Sequence, residues 1–407
     1  MTHALFHVIV LHHASDSMAG ARVDALRRAF ENVRSEDDAS TFAPEADPWS
    51  LVGFIVVSNP TEFEARTQTV GRRVLFVILV NERMVDDPEW ASVLEIVASV
   101  LPRSGLQNAL CFVSSEEAQA RLPGRLRERQ APESSVLGER RMRPHTLALL
   151  ALHRARLLVG ASPERNTLKL FISHAKADGL FLAHSLVSLL KEVPELNAWY
   201  DAIDLQSGAA WSDDIEAEAS SSVLIAIRTE GYDQSPWCRN EFETALAHGV
   251  PIIVVDALLR PVISPSTLPF AAMPNVRVPD GNTHRVLAAA LREHLRMLLV
   301  ETLVVDHVPP NIPLTSWRVW PRLPTISALQ ARAATLERSE YWLLPQAIKT
   351  TRDFTAAREW LAATQSYLHL EAVETFLLVA GTLDVQPSAP LPPEGGGPPG
   401  GSDRPSS

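Results

Sequence analysis

Short, nearly continuous apolar runs recur along the first part of the chain at Val8 to Leu11, Val52 to Val57, Val74 to Val80 and Leu110 to Val113. Runs of this length, rich in β-branched residues, predict strands buried on both faces. Between them, apolar positions return at helical spacing over Ala21 to Val33 and Glu89 to Leu101. Alternating strand and helix patterns predict a mostly parallel sheet covered by helices. Residues 1–160 are therefore expected to form an α/β domain.

A second alternation begins near Asn166. Leu168 to Ser173 (LKLFIS), Ala198 to Tyr200, Val223 to Arg228 (VLIAIR) and Pro251 to Asp256 (PIIVVD) read as strands. Leu180 to Leu190, Trp211 to Ala219, Pro236 to His248 and Thr283 to Leu299 read as helices. Right-handed crossovers would again give a parallel sheet, whose ligands bind beyond the carboxyl ends of the strands. That rule gathers Ser173 to Asp178, Asp201 to Trp211 and Thr229 to Ser235 around one crevice. Residues 301–385 are expected to be a small appendage, proline-rich at first (Pro309, Pro310, Pro313, Pro321, Pro324). It then turns mainly helical, with Phe354, Trp360, Leu361, Leu368 and Leu370 at helical spacing. From Pro387 to Ser407 seven prolines and five glycines surround a single large apolar residue, Leu391, too little to offset the entropy of folding. Residues 386–407 are thus expected to be a disordered tail.

Composition narrows the class. At 407 residues, 46% hydrophobic and 21% charged, the chain is globular and long enough for two or three domains. A formal charge of −11 argues against nonspecific nucleic-acid binding. Arginines 121, 125, 127, 129, 140, 141 and 143 crowd one stretch, but Glu128, Glu133 and Glu139 interrupt them, which reads as a solvated linker. Cys111 and Cys238 offer neither a disulfide framework nor a zinc spacing, and no apolar run is long enough to span a bilayer. A cytoplasmic protein with no membrane partner is expected. GxxxxGK[ST], GxGxxG between a strand and a helix, GxSxG and HExxH are all absent, which removes the main loops of nucleotide-dependent, hydrolase and zinc-protease chemistry.

Three stretches stand out instead. Phe171-Ile172-Ser173-His174-Ala175-Lys176-Ala177-Asp178 resembles the first box of Toll/interleukin-1 receptor (TIR) domains. Tyr200 to Trp211 (YDAIDLQSGAAW) resembles the family's BB loop, with Ser207 where many members have proline. Ser235 to Phe242 (SPWCRNEF) is similar to the segment that opens the family's third helix. The resemblance covers residues 166–300 and implies a flavodoxin-like, five-stranded parallel sheet. It implies further that Glu241, four residues after Trp237, is the catalytic residue of NAD+ cleavage, as in the bacterial NAD-cleaving members. The local physics is compatible with that role. Ser235 suits an N-cap, Pro236 a first helical position, and Trp237 and Glu241 share a helix face at the edge of the stripe of Phe242, Ala245 and Leu246. Spacing alone favours an ordinary surface acid near a helix start, and only the resemblance turns the reading of Glu241 toward catalysis.

Other side chains of the three motifs are candidate substrate contacts, each with a plainer reading beside it. Trp237 and Trp211 offer rings to stack on nicotinamide or adenine, or else pack in the core. Ser173 and His174 stand at a strand end, where a histidine also serves to cap or pack. Asp204 touches substrate or orders its loop, and Gly208 supplies a positive φ. NAD+ is expected as substrate with no resident cofactor and no metal. His12, His13 and Asp16 follow a strand without a further ligand cluster and are read as structural. VLHHASD (Val10 to Asp16) faintly echoes FISHAKAD, as if the first domain were a diverged unit of the same kind. It lacks a Trp237/Glu241 counterpart, which suits a sensor for an unknown activating ligand or protein. The resemblance implies self-association through the TIR domain and a place in bacterial antiviral immunity. Its alternative is a noncatalytic adaptor acting through homotypic contacts alone.

Overall fold

A computed structural model describes residues 4–30, 51–68, 70, 73–101, 108–127, 143–160, 168–192, 200–204, 222–258, 268–270, 273–278, 282–308, 317–320, 323–344, 352–364, 366–373 and 376. Strands, and helices of eight residues or more, are numbered in chain order. The first unit contains β1 (Phe6–His12), α1 (Ala19–Phe30), β2 (Val52–Val57), β3 (Val74–Val80), α2 (Pro88–Val100), β4 (Ala109–Val113) and α3 (Pro144–Val159). The second contains β5 (Leu168–His174), α4 (Leu180–Glu192), β6 (Tyr200–Asp204), β7 (Ser222–Arg228), α5 (Pro236–Ala247), β8 (Ile252–Asp256), β9 (Asn275–Arg277) and α6 (Thr283–His307). A third contains β10 (Trp317–Val319), α7 (Ile326–Ala333), β11 (Glu340–Leu344), α8 (Arg352–Ala363) and β12 (Leu368–Ala372).

All three sheets are parallel. Strand order is β2-β1-β3-β4 in the first and β6-β5-β7-β8-β9 in the second, so the two units wind their first four strands identically. The echo between VLHHASD and FISHAKAD falls at equivalent places. β1 ends at His12 and β5 at His174, and each strand is the inner partner of the next two strands of its unit.

Burial follows the strand period of two. In the second sheet Leu170, Ile172, Val223, Ile225 and Ile227 face α4 and α6, whereas Phe171, Leu224, Ala226, Ile252 and Val254 face α5. The α4/α6 face joins α1, α3 and the β1 face of the first sheet in a single apolar cluster. Helices α3 and α6 thus lie between the two sheets, their apolar residues filling one core. Polar contacts reinforce it: the Thr302 hydroxyl donates to the Val159 carbonyl (3.0 Å), and Arg73 forms a two-bond ion pair with Asp306 (2.7 and 3.1 Å). The Val159 carbonyl is among those a helix C-terminus leaves without an intrahelical donor, so Thr302 satisfies it. Helix α6 outruns the expected end at Leu299 by two turns, and its extra length carries Val300 and Val304 into a cluster with Val319 and Leu343 of the third unit.

The mainly helical appendage expected over 301–385 is corrected: its described residues build a three-stranded parallel sheet, order β10-β11-β12, with α7 and α8 packed on it. Leu368 and Leu370, read as helical spacing, are instead alternate inward positions of β12. Strands of three to five residues carry too short a period to be told from helix. The unit is fastened to the end of α5. Gly249 has φ +67°, and a Cβ there would stand 2.7 Å from the Trp320 ring, which itself stacks on Trp342 at 4.2 Å. Arg318 donates to the carbonyl of His248, the residue capping α5, which also suits the negative end of the helix dipole. Among the described residues no helix is long and apolar enough to cross a membrane.

Candidate functional site

Three chain segments meet beyond the carboxyl ends of β5 and β7. Helix α5 begins there because Ser235 caps it, its hydroxyl accepting from the Cys238 N–H at 3.3 Å, and Pro236 follows in the first turn. The loop after β7 is tied to the loop after β5 by Asp178, whose carboxylate accepts from the Thr229 hydroxyl (2.6 Å) and the Gly231 N–H (2.8 Å). The acid of the first sequence box is thus a brace between two loops. Gly179 is needed beside it, since a Cβ there would meet the His174 Cβ at 2.9 Å.

With the loops so held, Ser173 lies between Glu241 and Tyr232. The Ser173 hydroxyl donates to Glu241 Oε2 at 2.6 Å, and because that bond uses its only proton, the Tyr232 hydroxyl is the donor in the 2.8 Å bond to Ser173. Glu241 is only 8% exposed. Burial raises its pKa above the usual carboxylate range, opposed by the hydrogen bond from Ser173. Oε1 has no hydrogen bond among the described residues. Burial likewise raises the Tyr232 hydroxyl and the Cys238 thiol, keeping both protonated as neighbours of the carboxylate. Tyr232, Phe242 and Phe270 form an edge-packed ring cluster beneath, and the Arg228 guanidinium lies 4.6 Å over Phe270. Arg228 Nε and Asp233 Oδ1 are buried there without hydrogen-bond partners.

Of the sequence candidates, Glu241 and Ser173 are in direct contact. His174 ends β5, half-buried and without a hydrogen bond among the described residues. Trp237 is 63% exposed, which overturns the core-packing alternative and leaves its ring free one turn ahead of Glu241. Asp204 ends β6, in register with Ile172, with only its backbone described. Gly208 and Trp211 lie outside the described residues, as do the tail 386–407 and Arg129, Arg140 and Arg141 of the arginine-rich stretch. Tyr232, Arg228 and Asp233 were missed. A tyrosine just after a strand-end turn was the available signal for Tyr232, but nothing in its spacing aims it at Ser173.

The first unit repeats the framework without the acid. Asp87 caps α2, accepting from the Glu89 and Trp90 N–H groups, and Pro88 follows. Six residues beyond that cap stands buried Val93, where α5 has Glu241 six residues beyond Ser235. His12 and His13 are held locally, His12 Nδ1 lying 3.2 Å from the His13 carbonyl and His13 Nδ1 2.6 Å from the Ser15 hydroxyl.

Strand order, the braced loops and the buried acid on α5 coincide with a match of residues 170–295 to the TIR domain family model. These residues form a TIR domain. No curated protein matches the chain closely enough to count as a relative. Within the TIR domain, the first sequence box supplies Ser173 and Asp178, and the third supplies Glu241 and its helix cap. The family includes NAD-cleaving enzymes and noncatalytic adaptors, and a fold by itself does not choose between them.

Proposed function

We propose that the TIR domain cleaves the bond between nicotinamide and ribose in NAD+, with Glu241 as the catalytic residue. The observation that carries this reading is a nearly buried carboxylate held at a strand end, with Ser173 donating to Glu241 Oε2 at 2.6 Å, one turn beyond the exposed ring of Trp237. Breaking the C1′–N bond sends its electron pair to nicotinamide, which was cationic and leaves neutral, so no general acid is required. The ribose passes through an oxocarbenium-like state, as in glycoside hydrolysis. A fixed negative oxygen beside that developing charge, also accepting from ribose hydroxyls, stabilises the transition state by electrostatics that need no reorganisation. Water then attacks C1′ and loses a proton to give ADP-ribose, or a nitrogen of the adenine attacks to give a cyclic product. Trp237, exposed at the head of α5, supplies a ring face for nicotinamide or adenine. Ser173 orients the acid and favours its charged form, and His174 borders the pocket.

Self-association through the TIR domain belongs to the same proposal, as does a role in bacterial antiviral defence in the cytoplasm, where NAD+ loss or a cyclised messenger would act. The first unit, lacking an acid at Val93, would serve as the sensing or assembling element. A second reading has an observation of its own. Glu241 is bonded inward, in a chain running Tyr232 to Ser173 to Glu241, as a scaffold acid of a noncatalytic adaptor would be.

One experiment separates them. Purified full-length protein is incubated with NAD+, with and without enforced oligomerisation, beside Glu241→Gln, and products are resolved by chromatography. Nicotinamide release by the parent that falls by at least about 10²-fold in the variant, the scale of losing one transition-state electrostatic group, supports the enzyme. Equal release by both removes Glu241 from the mechanism, and no release under any condition leaves the adaptor.

A further inference from the structure

The first unit has its own strand-end edge, beyond the carboxyl ends of β1 and β3, which lie side by side with His12 opposite Leu79. In an open parallel sheet that edge is where ligands bind. Three side chains meet there that NAD+ cleavage leaves unused, Ser15 and His13 from the turn after β1 and Asp87 from the segment after β3. The Ser15 hydroxyl lies 2.6 Å from His13 Nδ1, and His13 Nε2 lies 3.9 Å from Asp87 Oδ2. Hydroxyl, imidazole and carboxylate thus follow one another across the two strand ends.

The backbone fixes which way the protons run. The Ser15 N–H donates to His13 Nδ1 at 3.1 Å, so that nitrogen carries no proton. A neutral imidazole then bears its proton on Nε2, the nitrogen that faces Asp87, and the Ser15 hydroxyl is the donor in the 2.6 Å bond. Each member is held in place. The Asp16 N–H donates to the His13 carbonyl at 2.9 Å, closing a turn around Ser15. Asp87 Oδ1 caps α2, accepting from the Glu89 and Trp90 N–H groups, which leaves Oδ2 to His13. Asp16, nearer in the chain, is engaged elsewhere, accepting from the Met18 N–H at 2.9 Å and pairing with Arg22 at 3.6 Å. The His13 and Asp87 side chains are only 20% and 31% exposed, whereas Ser15 is open to solvent. The charge pair is therefore partly shielded while the hydroxyl stays reachable.

We propose that Ser15 is a nucleophile toward small esters, with His13 as its general base and Asp87 as the positioning residue. A nucleophile bonded to a base that a third group orients is the signature of such a site, whatever fold or chain order presents it. His13 Nδ1 takes the Ser15 proton as Oγ bonds to the carbonyl carbon, and the ester's alcohol oxygen leaves with that proton. Water, losing a proton to the same nitrogen, then attacks the acyl carbon, releasing a carboxylic acid and restoring Ser15. Asp87 stabilises the imidazolium formed in each step, and its 3.9 Å separation from His13 tightens as that charge develops. Met18, 54% exposed and three residues beyond Ser15, offers an apolar surface suited to a short acyl chain. The site lies in a different unit from Glu241 and stands whether or not the TIR domain cleaves NAD+.

The test treats full-length protein with a fluorophosphonate probe, from which an activated serine displaces fluoride, and locates the adduct by peptide mass spectrometry. Turnover of p-nitrophenyl acetate is followed alongside. The label is expected on Ser15, absent from Ser15→Ala, and slower by at least about 10²-fold in His13→Ala, the lower end of what a general base contributes. Asp87→Asn keeps an oxygen for the cap of α2, so its melting temperature should hold. Its kcat for p-nitrophenyl acetate should nevertheless fall at least about tenfold with KM unchanged, the split of a group that acts through the base and not on the substrate. Labelling of the parent decides the proposal by itself should a variant fold poorly. An adduct missing from Ser15, or formed there no faster than on serines of the denatured chain, overturns it. So does labelling undiminished in a folded His13→Ala, or kcat unchanged in Asp87→Asn.

Discussion

Ser173 and Glu241 stand 68 residues apart in the chain, yet the hydroxyl of one donates to the carboxylate of the other across 2.6 Å. That bond joins the last buried position of β5 to the second turn of α5. It opposes the burial that raises the pKa of Glu241. Replacing Ser173 by Ala removes the opposing influence, so the acid is held in its protonated form to a higher pH. If the charged carboxylate is the reacting form, the acid limb of nicotinamide release moves upward in pH. Activity near neutrality should fall about tenfold, the order of one hydrogen bond to a charged group. Rate against pH for both proteins checks this, and an unmoved limb would detach Ser173 from the ionisation of Glu241.

Glu241→Gln is expected to abolish nicotinamide release and at the same time to stabilise the fold at neutral pH. An acid whose folded pKa lies above its unfolded one binds more protons in the native state, so its contribution is favourable at low pH and is lost as pH rises through the folded value. At pH 7 the parent carries that unfavourable charge and the amide does not. Thermal melts should place the variant a few degrees higher at pH 7, with the gap closing as pH falls below the ordinary carboxylate range. A variant that melts lower at pH 7 contradicts the burial argument.

Gly249→Ala tests the fastening of the third unit. Its positive φ costs an L-residue about 1–2 kcal/mol, and the new methyl would meet the Trp320 ring at 2.7 Å, so Trp320 must move off its Trp342 partner. Equilibrium denaturation followed by tryptophan fluorescence should report a loss of at least that size and a changed emission from the Trp320/Trp342 pair. Stability equal to the parent would mean that the β10-β11-β12 unit does not bear on the end of α5.

Thr302→Val addresses the shared core. It leaves the Val159 carbonyl without its donor at a buried helix end, an expected loss of about 1–3 kcal/mol. Since α3 and α6 pack in the same cluster as both sheets, the first unit and the TIR domain should melt together, and the variant should lower one joint transition in scanning calorimetry. Two separate transitions, with only one shifted, would divide the core that the packing joins.

Much of the architecture was legible before any coordinates. Continuous apolar runs such as Val74 to Val80 and Val223 to Arg228 announce strands covered on both faces, and both became inner strands. The cap and proline at Ser235 and Pro236 marked the start of α5, and the Trp237/Glu241 spacing placed the acid one turn inside. These features are local, and their physics depends on residues within a turn or a strand. Trp237 escaped the sequence reading because a tryptophan near a helix start is compatible with either environment until its neighbours are in place.

Local pattern along the chain therefore determined most elements of the first two units, their parallel winding and the position of the acid on its helix, but not the short strands of the third unit. Only the folded molecule decided that Asp178 braces two loops, that Tyr232 donates to Ser173, that Ser173 holds Glu241, and that α3 and α6 fill a core between two sheets. The physical reason is the range of the information. Side-chain period reports which face an element buries, whereas these contacts arise where crossovers return distant segments to the same sheet edge, and no spacing within either segment encodes the other.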